Sequence, residues 1–172
     1  MSTDQDMFDR LIGPIREKMM WTVARIVGNP DDSADTLQNA LVSVWDNLDT
    51  IRAHPNPQAY ILRLCISAAY NTVRKRARDR TRNVPMDCVA PLASASPSPP
   101  ASLIASERQQ TVLDAIASLP PQQAEALVLR IVEGEPFDAI ARVLGCDEQT
   151  VRSHVSKGKA KLRDILLQTG IL

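Results

Sequence analysis

Apolar residues over positions 8–26 recur three and four apart: Phe8, Leu11, Ile12, Ile15, Met19, Val23 and Ile26. That spacing lays one apolar stripe along a helix. Gly28 supplies a stop, because glycine tolerates the left-handed backbone that closes a helix. Asn29-Pro30-Asp31-Asp32 predicts a turn and an N-cap. Ala34, Leu37, Leu41, Val44, Trp45 and Leu48 mark a second helix, with Trp45 expected on its core side. His54-Pro55-Asn56-Pro57 breaks the chain again; Asn56 is suited to cap, and Pro57 to the first helical position. A third helix carries Tyr60, Ile61, Leu64, Ala68 and Val73 and runs on into a basic segment.

The periodicity then stops. Residues 83–102, NVPMDCVAPLASASPSPPAS, hold Pro85, Pro91, Pro97, Pro99 and Pro100 among Ala and Ser. Proline lacks an amide donor and restricts its predecessor, so neither helix nor central strand can run through. The segment reads as a flexible, partly extended linker that leaves the two halves free to move independently. Beyond it, Leu103, Ile104, Val112, Leu113 and Ile116 mark a helix that Leu119-Pro120-Pro121 ends. Ala124, Leu127, Val128, Ile131 and Val132 mark the next, which stops at Gly134. The pattern predicts an all-α protein of two small helical domains, residues 1–82 and 103–172, joined by the Pro/Ala/Ser-rich linker 83–102.

Residues 136–163, PFDAIARVLGCDEQTVRSHVSKGKAKLR, are the most informative. Phe137, Ile140, Ala141 and Leu144 form a short apolar face. Gly145 permits the positive φ of a tight turn, and Asp147 can cap the helix that follows. Val151, Val155 and Leu162 define the buried side of that helix, with Gly158 allowing close packing. Two helices joined by a short glycine-containing turn make a helix-turn-helix. The opposite face carries Gln149, Arg152, Ser153, Ser156 and Lys157, residue types that reach base edges and phosphates. Lys159, Lys161 and Arg163 lie further along and suit phosphates. The plain alternative is a cationic surface on a helical hairpin.

Composition changes this picture in three places. Of 172 residues, 44% are hydrophobic but only 3% aromatic, so the cores are aliphatic, which favours helices over an aromatic-rich sandwich. The net charge is zero, so any grip on nucleic acid must be local. Two stretches provide it. Arg74, Lys75, Arg76, Arg78, Arg80 and Arg82 stand within nine residues that include one acid, Asp79, and Arg152, Lys157, Lys159, Lys161 and Arg163 fall in an acid-free run from Gln149. Cys65, Cys88 and Cys146 are far apart and read as free thiols of a reducing cytoplasm. The acidic N-terminus lacks an apolar signal core, and no apolar run is long enough to span a membrane. No glycine-rich phosphate loop, zinc spacing or Ser/His/Asp constellation is visible, so no catalysis, metal or cofactor is expected.

The chain resembles the extracytoplasmic-function sigma factors, the smallest members of the bacterial sigma-70 family. Leu119-Pro120, Leu127, Leu129-Arg130, Glu133-Gly134, Ala139-Ile140-Ala141, Leu144-Gly145 and Thr150-Val151-Arg152-Ser153 are similar to that family's C-terminal promoter-reading domain. Gly28-Asn29-Pro30-Asp31-Asp32, Asp35, Leu37-Gln38, Val44-Trp45 and Asn47-Leu48-Asp49 resemble its polymerase-binding helix. Ala59-Tyr60-Ile61-Leu62-Arg63-Leu64, ending in Arg74-Lys75-Arg76, resembles its promoter-melting helix.

The resemblance implies a sigma-2-like three-helix domain and a sigma-4-like helix-turn-helix domain. It implies docking on core RNA polymerase through Asp35, Gln38 and Asn39, phosphate contact through Arg74 and Arg76, and an anti-sigma factor as a candidate third partner beside polymerase and promoter DNA. The chain departs from the family's usual pattern at Asn39 (often Glu), Leu41 (Phe), Tyr60 (Trp), Ser67 (Asn), Asn71 (Asp) and His154 (Arg), and leaves open whether Ser67 reads a base. Two other readings stay open on residues alone: a helix-turn-helix regulator of another family, and a sigma-like decoy that binds protein without directing transcription.

Overall fold

The computed structural model describes residues 4–82 and 111–170. The expected linker and the first residues of the C-terminal half lie outside them. Among the described residues there are helices and turns and no strand.

The first expected helix is two. α1 (Asp4–Ile12) ends in a short 3-10 turn, Gly13–Ile15, before α2 (Arg16–Val27) begins. Pro14 has no amide hydrogen to give to the helix, so the chain tightens there. Gly28 then closes α2 in the left-handed region, φ 82°, its amide donating to the Ala24 carbonyl. Asn29 caps α3 (Pro30–Asp46): its side-chain oxygen accepts from the Asp32 amide at 2.9 Å.

The second expected helix also divides, at Asn47. The Asn47 amide turns back to the Val44 carbonyl and its side chain donates to the Ser43 carbonyl at 2.8 Å, ending α3 before the short α4 (Leu48–Ala53). Asn56 accepts from the Ala59 amide at 3.0 Å and starts the long α5 (Pro57–Arg82) as the sequence predicts. In the C-terminal half, residues 111–117 (α6) are helical up to the Leu119-Pro120 break. α7 (Pro121–Ile131), α8 (Phe137–Leu144) and α9 (Glu148–Gln168) follow.

α2, α3 and α5 pack on one another, as do α7, α8 and α9. The two groups also meet: α5 lies against α7 and α8, and buried apolar residues form one continuous core from Val23, Ile61 and Ile66 to Leu119, Leu129 and Ile140. Burial of such side chains drives the assembly at roughly 1.5–3 kcal/mol each.

Polar groups inside this contact are paired, as burial requires. Arg63 on α5 donates to Glu125 on α7 at 3.1 Å and to the Val143 carbonyl at 2.9 Å. The Tyr70 hydroxyl donates to the carbonyls of Ala117, at 3.2 Å, and Leu119, and burial pushes its pKa up. Glu133, its side chain 4% exposed, accepts from Thr22 at 2.6 Å and pairs with Lys18 at 3.3 Å. The sequence predicts halves that move independently; the structure packs them through these partners, none of which sequence spacing reveals.

Candidate nucleic-acid interface

The α8–α9 hairpin is set by backbone chemistry. Gly145 takes φ 66°, where its amide donates to the Ala141 carbonyl and ends α8. One residue further, the Cys146 amide donates to the same carbonyl at 3.1 Å. Asp147 then caps α9. Its carboxylate accepts from the Thr150 amide at 2.7 Å and the Thr150 hydroxyl at 3.0 Å. Those bonds hold the carboxyl below the ordinary Asp range.

Val151, Val155 and Gly158 form the buried side of α9, and Leu162 is half-buried. Gly158 packs against α7, but a Cβ there would stand 3.5 Å from the Gln123 carbonyl, an ordinary van der Waals contact, so the approach does not demand glycine.

With that face seated, Gln149, Arg152, Ser156, Lys157 and Lys159 are exposed, and Ser153 and His154 are half-buried. Among the described residues, neither Lys157 nor Lys159 has an ion-pair partner. Lys161 donates to the Ser118 carbonyl at 3.3 Å. Arg152 is the most constrained of the arc. Its guanidinium carbon lies 4.2 Å from the centroid of the Phe137 ring, and one of its nitrogens is 3.5 Å from Glu148.

The α5 cations divide differently. Arg74 is exposed beside the Leu119 turn. Arg76 is half-buried; it donates to the Val27 carbonyl at 2.9 Å and pairs with Asp32 at 3.3 Å, tying α5 to the end of α2 and the start of α3. Arg80 pairs with Asp114 across the contact between the halves.

On α3, Asp35, Gln38 and Asn39 are all exposed. Asp35 and Asn39 open on a groove whose far wall on α5 includes Asn71 and Lys75, and whose floor is closed by Thr36 and Thr72, their hydroxyls 2.8 Å apart. Trp45, expected in the core, is 43% exposed, edge-on to Phe8 at 5.5 Å. It falls on the outer side because Ala40 and Val44 take the inner one, while Val42, at 56%, stands out with it. Sequence reasoning missed Phe137 as a partner of Arg152, and Arg63 and Glu125 as a buried pair. Only the aromatic at the start of α8, a turn before a basic recognition face, could have hinted at the first.

Among the described residues no group of three or more His, Cys, Asp or Glu is arranged to hold a metal, and no helix is long and apolar enough to cross a membrane.

Comparison with known proteins agrees with this geometry. Residues 12–79 match the family model of sigma-70 region 2, and residues 109–162 that of sigma-70 region 4. An ECF RNA polymerase sigma factor, SigE, of Mycolicibacterium smegmatis is 26% identical over 92% of this chain, which spans 61% of that relative's length. The RNA polymerase sigma-H factor of Pseudomonas aeruginosa is 27% identical over 91% of this chain and 84% of its own. Among solved structures, the sigma factor RpoE of Bartonella quintana, in complex with the anti-sigma factor NepR, shares the fold with a TM-score of 0.54 at 20% identity, over 92% of this chain and 96% of that one. Two sigma-70 regions in the right order, on an all-helical frame that leaves one face of a capped helix-turn-helix open, place this chain in the extracytoplasmic-function group of the sigma-70 family.

Proposed function

We propose that this sigma factor joins core RNA polymerase through the exposed arc of α3 and brings it to promoter DNA that α9 reads. Asp35, Gln38 and Asn39 present an acidic and amide face that suits basic side chains on a polymerase helix. Gln149, Arg152, Ser153, Ser156 and Lys157 face the upstream element in the major groove, and Lys159 meets its phosphates. Arg74 meets phosphates near the downstream element; Arg76 reaches them only by leaving Asp32 and the Val27 carbonyl.

In this reading residues 1–82 and 103–172 work as two domains tethered by 83–102, in the cytoplasm. An anti-sigma factor is a further partner, as for the Bartonella relative. The observation that carries the proposal is the segregation on α9. Its apolar side is consumed by α7 and α8, while its opposite side is exposed at Lys157 and Lys159, which have no ion-pair partner among the described residues.

Pull-down with core polymerase, followed by run-off transcription, tests it. A sigma factor needs polymerase both for specific DNA binding and for a transcript. A regulator of another family binds DNA alone, and a decoy binds polymerase without a transcript. Replacing Asp35 and Gln38 together with Ala is expected to weaken polymerase binding by about tenfold or more with helicity unchanged. Unaltered affinity removes them from the interface.

A further inference from the structure

Two guanidinium groups share one aromatic ring at the entrance of the helix-turn-helix. Arg152 lies 4.2 Å from the Phe137 centroid and Arg130 lies 4.7 Å from it. Cations within about 6 Å of a ring face are drawn to its negative quadrupole, and such pairs occur only once per roughly 70–80 residues. Two on one ring set like charges close together, so the site is more than incidental packing.

Arg130 is fixed from α7. Its guanidinium donates to the Glu135 carbonyl at 3.0 Å, in the turn just before Phe137. Phe137 is fixed from below, half-buried against the core at the first position of α8. Arg152, on α9, leans on that ring, with Glu148 one turn back on its other flank. Three elements therefore converge on the one guanidinium that the proposed base-reading arc offers.

We infer that Phe137 is a positioning residue for promoter reading: its ring, braced by Arg130, sets the plane of the Arg152 guanidinium before DNA arrives. The inference rests on the proposed role of Arg152 as a base reader. A guanidinium stacked by its face keeps its in-plane N–H edge available, and that edge is what grips guanine O6 and N7. An unsupported arginine carries large rotamer freedom, which it must give up on binding; a stacked one has surrendered much of it already. An ammonium has no plane to stack, so Arg152→Lys is expected to lose this positioning.

The experiment uses holoenzyme formed from the full chain and core polymerase. The probe is a promoter duplex recovered by that holoenzyme from a randomised library, together with its single-base variants. Phe137→Leu is expected to lower affinity for the matched duplex about three- to tenfold. It is also expected to flatten preference at the same base pair whose preference Arg152→Ala abolishes. Phe137→Tyr keeps the ring and is expected to restore both. In the Arg152→Ala background, Phe137→Leu is expected to change base preference no further.

A purely structural Phe137 would instead weaken every duplex alike, or add its full effect to that of Arg152→Ala; either result overturns the inference. If Arg152→Ala relaxes one position and Phe137→Leu does not, the positioning role alone falls. If Arg152→Ala leaves base preference untouched, the base-reading role falls and the inference with it.

Discussion

Two stretches of this chain carry similar charge and do different things with it. From Arg74 to Arg82 six of nine residues are basic, and from Arg152 to Arg163 five of twelve are. Along the sequence both read as basic faces of helices. In three dimensions the α5 stretch gives two of its cations to distant elements: Arg76 holds Val27 and Asp32, and Arg80 holds Asp114 across the contact between the halves. Just upstream on the same helix, Arg63 holds Glu125. On α9, Arg152 and Arg163 pair within their own helix, with Glu148 and Asp164, and Lys161 donates to the Ser118 carbonyl, while Lys157 and Lys159 are exposed with no ion-pair partner among the described residues. A run of cations becomes a nucleic-acid surface only where the fold leaves it without internal acceptors, and which acceptors arrive depends on helices far away in sequence.

The buried Arg63–Glu125 pair between α5 and α7 gives the largest expected effect. The side chains of Glu125 and Arg63 are 9% and 31% exposed. Glu125→Ala leaves that guanidinium partly buried with only the Val143 carbonyl, and is expected to cost about 2–3 kcal/mol in urea unfolding, toward the low end for broken buried pairs because Arg63 keeps some solvent. Replacing both, Arg63→Met with Glu125→Leu, is expected to recover most of the loss, since two apolar side chains need no partners. A Glu125→Ala cost below about 0.5 kcal/mol would show that the halves do not hold each other in solution.

How much of this was legible in sequence follows from the range of the forces involved. Caps and stops are local, so Asn29, Asn56, Asp147, Gly28 and Gly145 do what their positions dictate. The apolar face of α9 was legible for the same reason, its Val151 and Val155 spaced four apart. The breaks at Gly13-Pro14 and Asn47 were not, because an apolar stripe continues across each and hides the change of backbone. Trp45 turned outward because smaller neighbours filled the inner face, a matter of packing and not of hydrophobicity. Arg76 and Arg63 found partners between 44 and 80 residues away, and Phe137 met Arg152 from the next helix, where no spacing rule reaches.

The contrast between the basic stretches can be sharpened with one substitution in each. Arg76→Ala removes a charged donor from a helix-terminal carbonyl and a partner from Asp32. It is expected to cost about 1–2 kcal/mol of stability, reduced from a fully buried case by solvent access. It is expected to leave the salt dependence of promoter binding unchanged. Lys159→Ala is expected to do the reverse: stability within about 0.5 kcal/mol of the parent, and a salt slope shallower by roughly one, with all sequences weakened alike. Urea unfolding and binding across a salt series read both. A flatter slope for Arg76→Ala would return that residue to the DNA surface and erase the difference between the stretches.

The smallest expected effect lies at the α9 cap. Hydrogen bonds from Thr150 hold the Asp147 carboxyl below its usual range. A carboxylate depressed in the folded state stabilises the fold at any pH above its unfolded pKa, and that contribution disappears as pH falls through the folded pKa. Asn caps a helix about as well as Asp. Asp147→Asn is therefore expected to leave stability near neutral pH almost unchanged while removing part of the loss seen in acid. The same change takes one negative charge from the helix end proposed to enter the groove, so promoter affinity is expected to rise slightly and equally for every sequence, most visibly at low salt. Thermal unfolding across an acid pH series and binding at two salt concentrations measure both effects. If neutral-pH stability instead falls as far as for Asp147→Ala, the carboxylate charge, and not the cap hydrogen bond, is what seats the helix. α9 would then depend on a charge for its stability as α5 does.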